Sequence, residues 1–425
     1  MYYNETSMIK VDPLHFRLIL GICFCVILFT IGSTDITKAV VSSSLLMINA
    51  VVLFLAIRKE AYDVLVLAFF MLSYSYVPFA HYYLGQDINI RVQAYSASTV
   101  YHTACLCLLF QIVLWMNTSM KNVSHFRFTQ KSKNYPAGVF YILIILSLLF
   151  TIFGLQGDTI LTSGSYGNAL ATRESSSVFS YAIITITLAY VYAGNKKRLI
   201  IVYSLVAFYS IKILLFGGRI EAIQLWIALF LIKFRFVWSR KIILLSAGGA
   251  YFLMSLWSVY RADTSVSLFN IDNDTLRLTG GDVYYASMRI LYLIDQGVLS
   301  IADRAEAFLY YLSSSILPFR VLPDIANLSV YLSDQYASGG GGLAPVFFFA
   351  FGGIPMVIIA AALISYFLNR MHKNKYYYFY GIMLVATVPR WFAYYPIQPI
   401  KFCVYAVLLF AITENILKRF LNTNG

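Results

Sequence analysis

The chain is 425 residues long, 60% hydrophobic and only 12% charged, with a formal net charge of +13. Soluble globular domains carry about 25% charged residues, so this composition, gathered into several long apolar runs, excludes a soluble domain and a single membrane anchor and implies a polytopic membrane protein. The positive charge does not indicate nucleic acid, because the basic residues sort by loop rather than into one patch.

Taking about 20 apolar residues per crossing, the sequence predicts about 12 transmembrane helices, over 16–33, 39–57, 61–81, 96–116, 136–154, 178–194, 199–216, 220–238, 241–259, 343–368, 376–393 and 398–417. The runs are continuous rather than alternating, so the expected fold class is all-α, a polytopic membrane helix bundle forming a single domain over 1–425. The first run lacks a small-residue cleavage pattern and reads as a retained helix. Cys23, Cys25, Cys105, Cys107 and Cys403 all lie inside apolar runs, with neither a disulfide framework nor a zinc spacing.

With the N-terminus placed in the cytoplasm, 20 of the 32 basic residues fall on the cytoplasmic side, 10 on the outer side, and Lys212 and Lys401 within runs. This asymmetry puts both termini in the cytoplasm. Nine of the ten outer basic residues are arginine. The arginine fork binds phosphate in two places and keeps its charge, so the outer face suggests an anion with several oxygens; helix-end snorkelling is the competing reading.

Candidate site residues follow along the chain. His81 sits at the outer end of the third run beside Tyr82 and Tyr83, as an interfacial polar group or a base. In "FGGRIEAI", Gly217 and Gly218 allow a tight reversal, and Arg219 and Glu221 begin the eighth helix, where the helix dipole favours an anion. Either Glu221 satisfies Arg219 internally, or Arg219 faces an outward cavity. The large outer loop, 260–342, holds most of the outer acids. Apolar residues at helical spacing around Met288 and again around Phe308 predict two amphipathic helices there, on the membrane surface or over a cavity. They carry Asp282, Tyr284, Arg289, Asp303 and Arg304. "IDND" at 271–274 has a weak metal-like spacing and is read as no metal site. Arg320 lies between Pro318 and Pro323, positioned by them or merely at a helix stop. "SGGGG" at 338–342 reads as a flexible return. "PRWFAYYPIQPIK" places Arg390 beside Trp391, Tyr394 and Tyr395, between helix-breaking prolines.

Four features together resemble the O-antigen polymerase (Wzy-type) family of bacterial oligosaccharide repeat-unit polymerases: "FGGRIEAI" at an outer helix start, the large late outer loop, "GGGGLAPVFFFAFGGIPMVII" leading into the next run, and "PRWFAYYPIQPIK" near the C-terminus. Many members carry serine where Gly218 stands. The resemblance implies a metal-independent membrane glycosyltransferase of the bacterial inner membrane, without a cofactor, whose loop 260–342 is periplasmic. Its substrate would be an undecaprenyl-diphosphate-linked oligosaccharide, and its partners membrane lipid and a chain-length regulator. It further implies diphosphate binding by Arg219, Arg289, Arg320 and Arg390, because a departing diphosphate develops charge that must be stabilised. Glu221, Asp282, Asp303 and His81 are candidate bases, and Tyr284, Trp391, Tyr394, Tyr395 and His81 candidate sugar contacts. A lipid-linked oligosaccharide flippase and an O-antigen ligase-like enzyme stay open beside it.

Overall fold

The computed structural model describes residues 13–86, 88, 97–120, 137–154, 176–215, 219–262, 273–316, 325, 328, 331 and 341–422. Among these the secondary structure is helical, without strands. The helices are α1 (Pro13–Ile31), α2 (Asp35–Lys59), α3 (Tyr62–Leu84), α4 (Ala97–Asn117), α5 (Ala137–Phe153), α6 (Ser176–Val191), α7 (Lys196–Leu215), α8 (Ile220–Ile232), α9 (Arg240–Ala262), α10 (Asn273–Asp295), α11 (Ile301–Ile316), α12 (Ala344–Arg370), α13 (Lys375–Ala386), α14 (Val388–Trp391) and α15 (Lys401–Asn422). Four of them, α2, α3, α4 from Ser98, and α12, are long and apolar enough to cross a membrane by length and composition.

Local chemistry sets many of the helix ends. Thr34 and Thr37 form a reciprocal capping box at the start of α2 (3.2 and 2.8 Å), and Glu60, in the left-handed conformation, ends that helix. The chain then turns directly into α3, which packs along α2. A buried polar knot joins this hairpin to α4. Asn49 Nδ2 donates to Ser75 Oγ (2.9 Å) and to Gln111 Oε1 (2.6 Å), and the Trp115 indole donates to Asn49 Oδ1 (3.2 Å). Such side chains find one another because an unpaired polar group in an apolar interior is costly.

Four expectations change. The run at 220–238 is not one long helix: α8 stops at Ile232 and a 3₁₀ turn follows at Phe234–Phe236. The run at 343–368 is broken at Gly352 (φ −162°, ψ 26°) and Gly353 (φ 67°, ψ −160°), two residues before Pro355. The run at 376–393 breaks at Thr387 into α13 and α14. Both helices expected in the late loop are present, but α10 is no surface helix over 283–293. Val283, Tyr284, Met288, Ile290, Leu291 and Leu293 are buried, and the helix packs against α3, α4 and α12.

Helices α8 and α13 run antiparallel. Glu221 at the start of α8 pairs with Arg390 just beyond α13, and Arg235 just beyond α8 donates to the Tyr378 hydroxyl near the start of α13. Asp63, at the start of α3, lies within electrostatic reach of Arg235. The α3–α8–α13 trio thus carries one buried polar cluster at each end.

Candidate functional site

The cluster at the Arg390 end is built from four parts of the chain. Arg219 is the N-cap residue of α8, and its carbonyl accepts the Ile223 N–H at 3.0 Å. Glu221 follows in the first turn with its side chain 8% exposed, and it takes the Arg390 guanidinium, 23% exposed. Beside the two readings that the sequence left open, a local tie to Arg219 or an Arg219 facing a cavity, Glu221 makes a pairing across 169 residues of sequence. The Arg390 guanidinium also stands over the Tyr394 ring, 5.3 Å from its centre. Tyr74 of α3 closes the group: its ring meets Phe392 at 5.9 Å, and its hydroxyl is within electrostatic reach of Arg219 and Tyr394.

Helix breaks place these residues. Pro389 and the Thr387 turn end α13, and Trp391, fully buried, donates its indole N–H to the Leu384 carbonyl at 2.9 Å. That bond satisfies a backbone oxygen left over by the break. In α3, Pro78 removes the N–H that would meet the Tyr74 carbonyl. Tyr74 stands ten residues before Leu84, about 15 Å along the helix axis, so the site lies well below the end of α3 rather than at the surface.

The segment after α14 is tied down. Gly342 N–H bonds to Ala393 O (3.4 Å), Ala344 N–H to Phe392 O (2.8 Å), and Leu343 N–H to Ser287 Oγ of α10 (2.7 Å). Gly341 and Gly342 have φ of 94° and 142°, and a Cβ at Gly342 would come within 2.9 Å of the Phe347 ring. These two glycines are thus a close-packed crossing, not the flexible return expected from "SGGGG"; residues 338–340 lie outside the described residues.

Other expected site residues take different places. Tyr284 is fully buried and donates to Val100 O at 3.3 Å, leaving no ring face open to a sugar. Tyr395 is buried, edge-on to Phe347 (5.2 Å) and Tyr311 (5.9 Å). Of the aromatic candidates, Tyr394 is the half-buried one beside the arginine. His81 holds the Gln86 carbonyl at 2.9 Å at the end of α3. Asp282 is exposed on α10 and Arg289 half-buried on the same helix. Arg320, Gly217, Gly218 and the Asp272 of "IDND" lie outside the described residues. Among the described residues, no three His, Cys, Asp or Glu side chains gather in one place.

Asp303 serves as a helix cap. It accepts from the Ser300 N–H (2.9 Å) and hydroxyl (2.7 Å), and its own N–H donates to Ser300 Oγ (3.2 Å). These bonds hold its carboxyl below the ordinary value, about 3.9, which makes it a weaker base. A depressed carboxyl stabilises the fold above its unfolded value and loses that contribution as pH falls through the folded one. Hydrogen exchange is therefore expected to show the first turn of α11 protected at pH 7 and less so below about pH 3.9, with Asp303→Ala removing that pH dependence.

Arg304 crosses to α12. Its Nε donates to Ala350 O at 2.6 Å and a terminal nitrogen reaches Phe349 O at 3.5 Å. Those carbonyls would bond to the N–H groups of Gly353 and Ile354 in an unbroken helix. The guanidinium thus caps the break at Gly352–Gly353.

Two residues that the sequence reading passed over belong to the cluster. Tyr209 of α7 is fully buried, stacked on Phe179 at 4.4 Å, and its hydroxyl is within electrostatic reach of Glu221 and Arg390. Gln224, one turn on from Glu221 and 2% exposed, shares that helix face. Neither the Tyr209 hydroxyl nor the Gln224 amide nitrogen has a hydrogen-bond partner among the described residues. The only sequence signal was a polar group inside an apolar run, which Thr151 and Thr187 share while bonding carbonyls of their own helix. In comparisons with family models, curated proteins and solved structures, nothing matches this chain.

Proposed function

We propose that this protein polymerises undecaprenyl-diphosphate-linked oligosaccharide repeat units at the periplasmic face of a bacterial inner membrane, with about 12 spans, both termini in the cytoplasm and the 260–342 loop outside. The observation that carries the reading is the recessed cluster of Arg219 and Arg390 around Glu221, beside Tyr74 and Tyr394. Two guanidinium groups from distant parts of the chain, held below the end of α3 in an apolar bundle, suit an anion that arrives on a lipid. The 13 residues of α8 set the cluster about 20 Å from the Arg235 end, inside a hydrocarbon layer of about 30 Å but toward its outer edge.

In the transfer, a hydroxyl oxygen of one lipid-linked unit attacks the anomeric carbon of the growing chain. The bond from that carbon to the diphosphate breaks, and the hydroxyl proton passes to a base. Charge develops on the departing diphosphate, where the two arginines meet it in surroundings of low dielectric. Glu221, bound to Arg390, aims that guanidinium. Tyr209 and Gln224 add hydrogen-bonding capacity on the same side.

Arg219→Ala is expected to leave the protein inserted at normal abundance and to abolish long chains on a polysaccharide ladder gel. Normal ladders from that variant would sink the proposal. A transporter is favoured by one observation, the buried carboxylate of Asp63 at the other end of the bundle, whose Oδ1 has no hydrogen-bond partner, since ionisable groups within spans mark transport paths. A deletion strain separates the two: single repeat units still displayed at the surface indicate the polymerase, and loss of all surface sugar indicates the transporter.

A further inference from the structure

Helix α11 has two apolar faces. The inner one is protein-covered: Ala307 and Tyr311 are buried, and Phe308 and Tyr311 meet the Phe351 ring at 5.7 and 4.9 Å. On the outer one, Ile301, Leu309 and Leu312 are 82%, 64% and 40% exposed. At 3.6 residues per turn these three and Ala305 fall in a stripe about 80° wide. A water-facing helix would place charge there.

The level of α11 in the molecule identifies what covers that stripe. From Gly353 to Arg370, α12 runs 18 residues, about 27 Å, against about 30 Å for a bilayer's hydrocarbon core. Arg370 lies over the Tyr366 ring at 4.4 Å and the Tyr377 ring at 5.9 Å, as basic and aromatic side chains do at a membrane boundary. The Gly352–Gly353 break therefore stands at the opposite boundary, and Arg304 fastens α11 to it.

Arg304, Phe308 and Tyr311 cover about 10 Å of the α11 axis. Their ring and hydrogen-bond contacts on α12 all fall within Phe348–Phe351. Helix α11 thus crosses α12 and lies along the boundary. It packs on α12 and α15, whose own outward residues are apolar, among them Ile359, Leu363, Val404 and Leu408. The stripe continues that band.

We propose that α11 is an interfacial membrane helix. The Ile301, Leu309 and Leu312 face lies among the acyl chains of the leaflet at the Gly352–Gly353 boundary. The inner face straps the molecule beneath it, with Arg304 on the α12 break and the Tyr311 hydroxyl on the Pro396 carbonyl at 2.7 Å, six residues from Arg390. Lipid contact on one face and the two straps on the other make α11 the element that holds the site segment at its depth. This placement stands whichever reaction the protein performs.

Site-directed spin labelling tests it on the full chain in phosphatidylcholine vesicles. Cys23, the exposed cysteine among the described residues, is replaced by serine, and labels are placed at Leu309→Cys, Leu312→Cys and, as the polar-edge control, Glu306→Cys. The ratio of oxygen to nickel-chelate accessibility is expected to be several-fold higher at 309 and 312 than at 306. High chelate accessibility at 309 and 312 would overturn the proposal in favour of a water-facing helix. Low accessibility to both relaxants there would overturn it in favour of a second copy or another protein covering the stripe. Should a leucine variant fail to fold, Ile301→Cys reports the same face and is judged by the same ratios.

Discussion

Arg390→Ala is expected to abolish polymer formation and to lower the melting temperature of the purified protein sharply. The side chain of Glu221 is 8% exposed and its ion-pair partner is Arg390. Removing one partner of a buried pair strands the other charge and costs about 3–5 kcal/mol. Arg390→Lys retains the charge but not the planar fork, and should recover stability more than polymer. The decisive variant is the double Arg390→Gln, Glu221→Gln. With no stranded charge it should regain most of the lost stability in thermal unfolding while staying inactive on ladder gels. If it made polymer, the pair would be a structural tie alone.

Gly353→Ala is the second large effect, with a cause confined to the backbone. Gly353 has φ 67° and ψ −160°, a region that essentially only glycine occupies and that costs other residues about 1–3 kcal/mol. Space is not the obstacle, since the nearest atom to an added Cβ is Pro355 Cδ at 3.8 Å. Gly352 is the control. Its φ of −162° is extended backbone open to any residue, and an added Cβ meets the Met356 side chain at 3.1 Å. Thermal unfolding should therefore show a larger loss for Gly353→Ala than for Gly352→Ala. Equal losses would mean that crowding near Met356, and not the conformation at Gly353, dominates.

Much of the candidate site was legible residue by residue, while its pairings were not. Arg219, Glu221, Arg390 and Tyr394 stood out as charges and aromatics at the edges of apolar runs. The prolines of "TVPRWFAYYP" marked a place where a helix would have difficulty continuing, and a break is there, whereas the break at Gly352–Gly353 falls inside a run expected to be one helix. The roles of Arg304, placed only on an amphipathic helix, and of Asp303, a candidate base, were not legible because their partners are invisible locally. One is the set of carbonyls released by a break 46 residues away, and the other is a cap whose value depends on where α11 starts. Tyr284 and Trp391 were candidate sugar contacts by the resemblance, but both are fully buried, and burial depends on what packs against them.

The sequence by itself determined that the chain is a helical, membrane-associated bundle, and nearly where its helices lie. Those properties are local: an apolar run of sufficient length must satisfy its own backbone hydrogen bonds, and the helix does so within the run. Only the tertiary structure decided that Glu221 meets Arg390, that Arg304 caps α12, that α10 enters the bundle while α11 stays at its edge, and that Tyr209 and Gln224 join the site. Each of these depends on which helices become neighbours and at what depth. In a chain whose apolar faces are all alike, neighbours are set by a few polar and small residues meeting across the packed helices, and no pattern along one segment records which of them will meet.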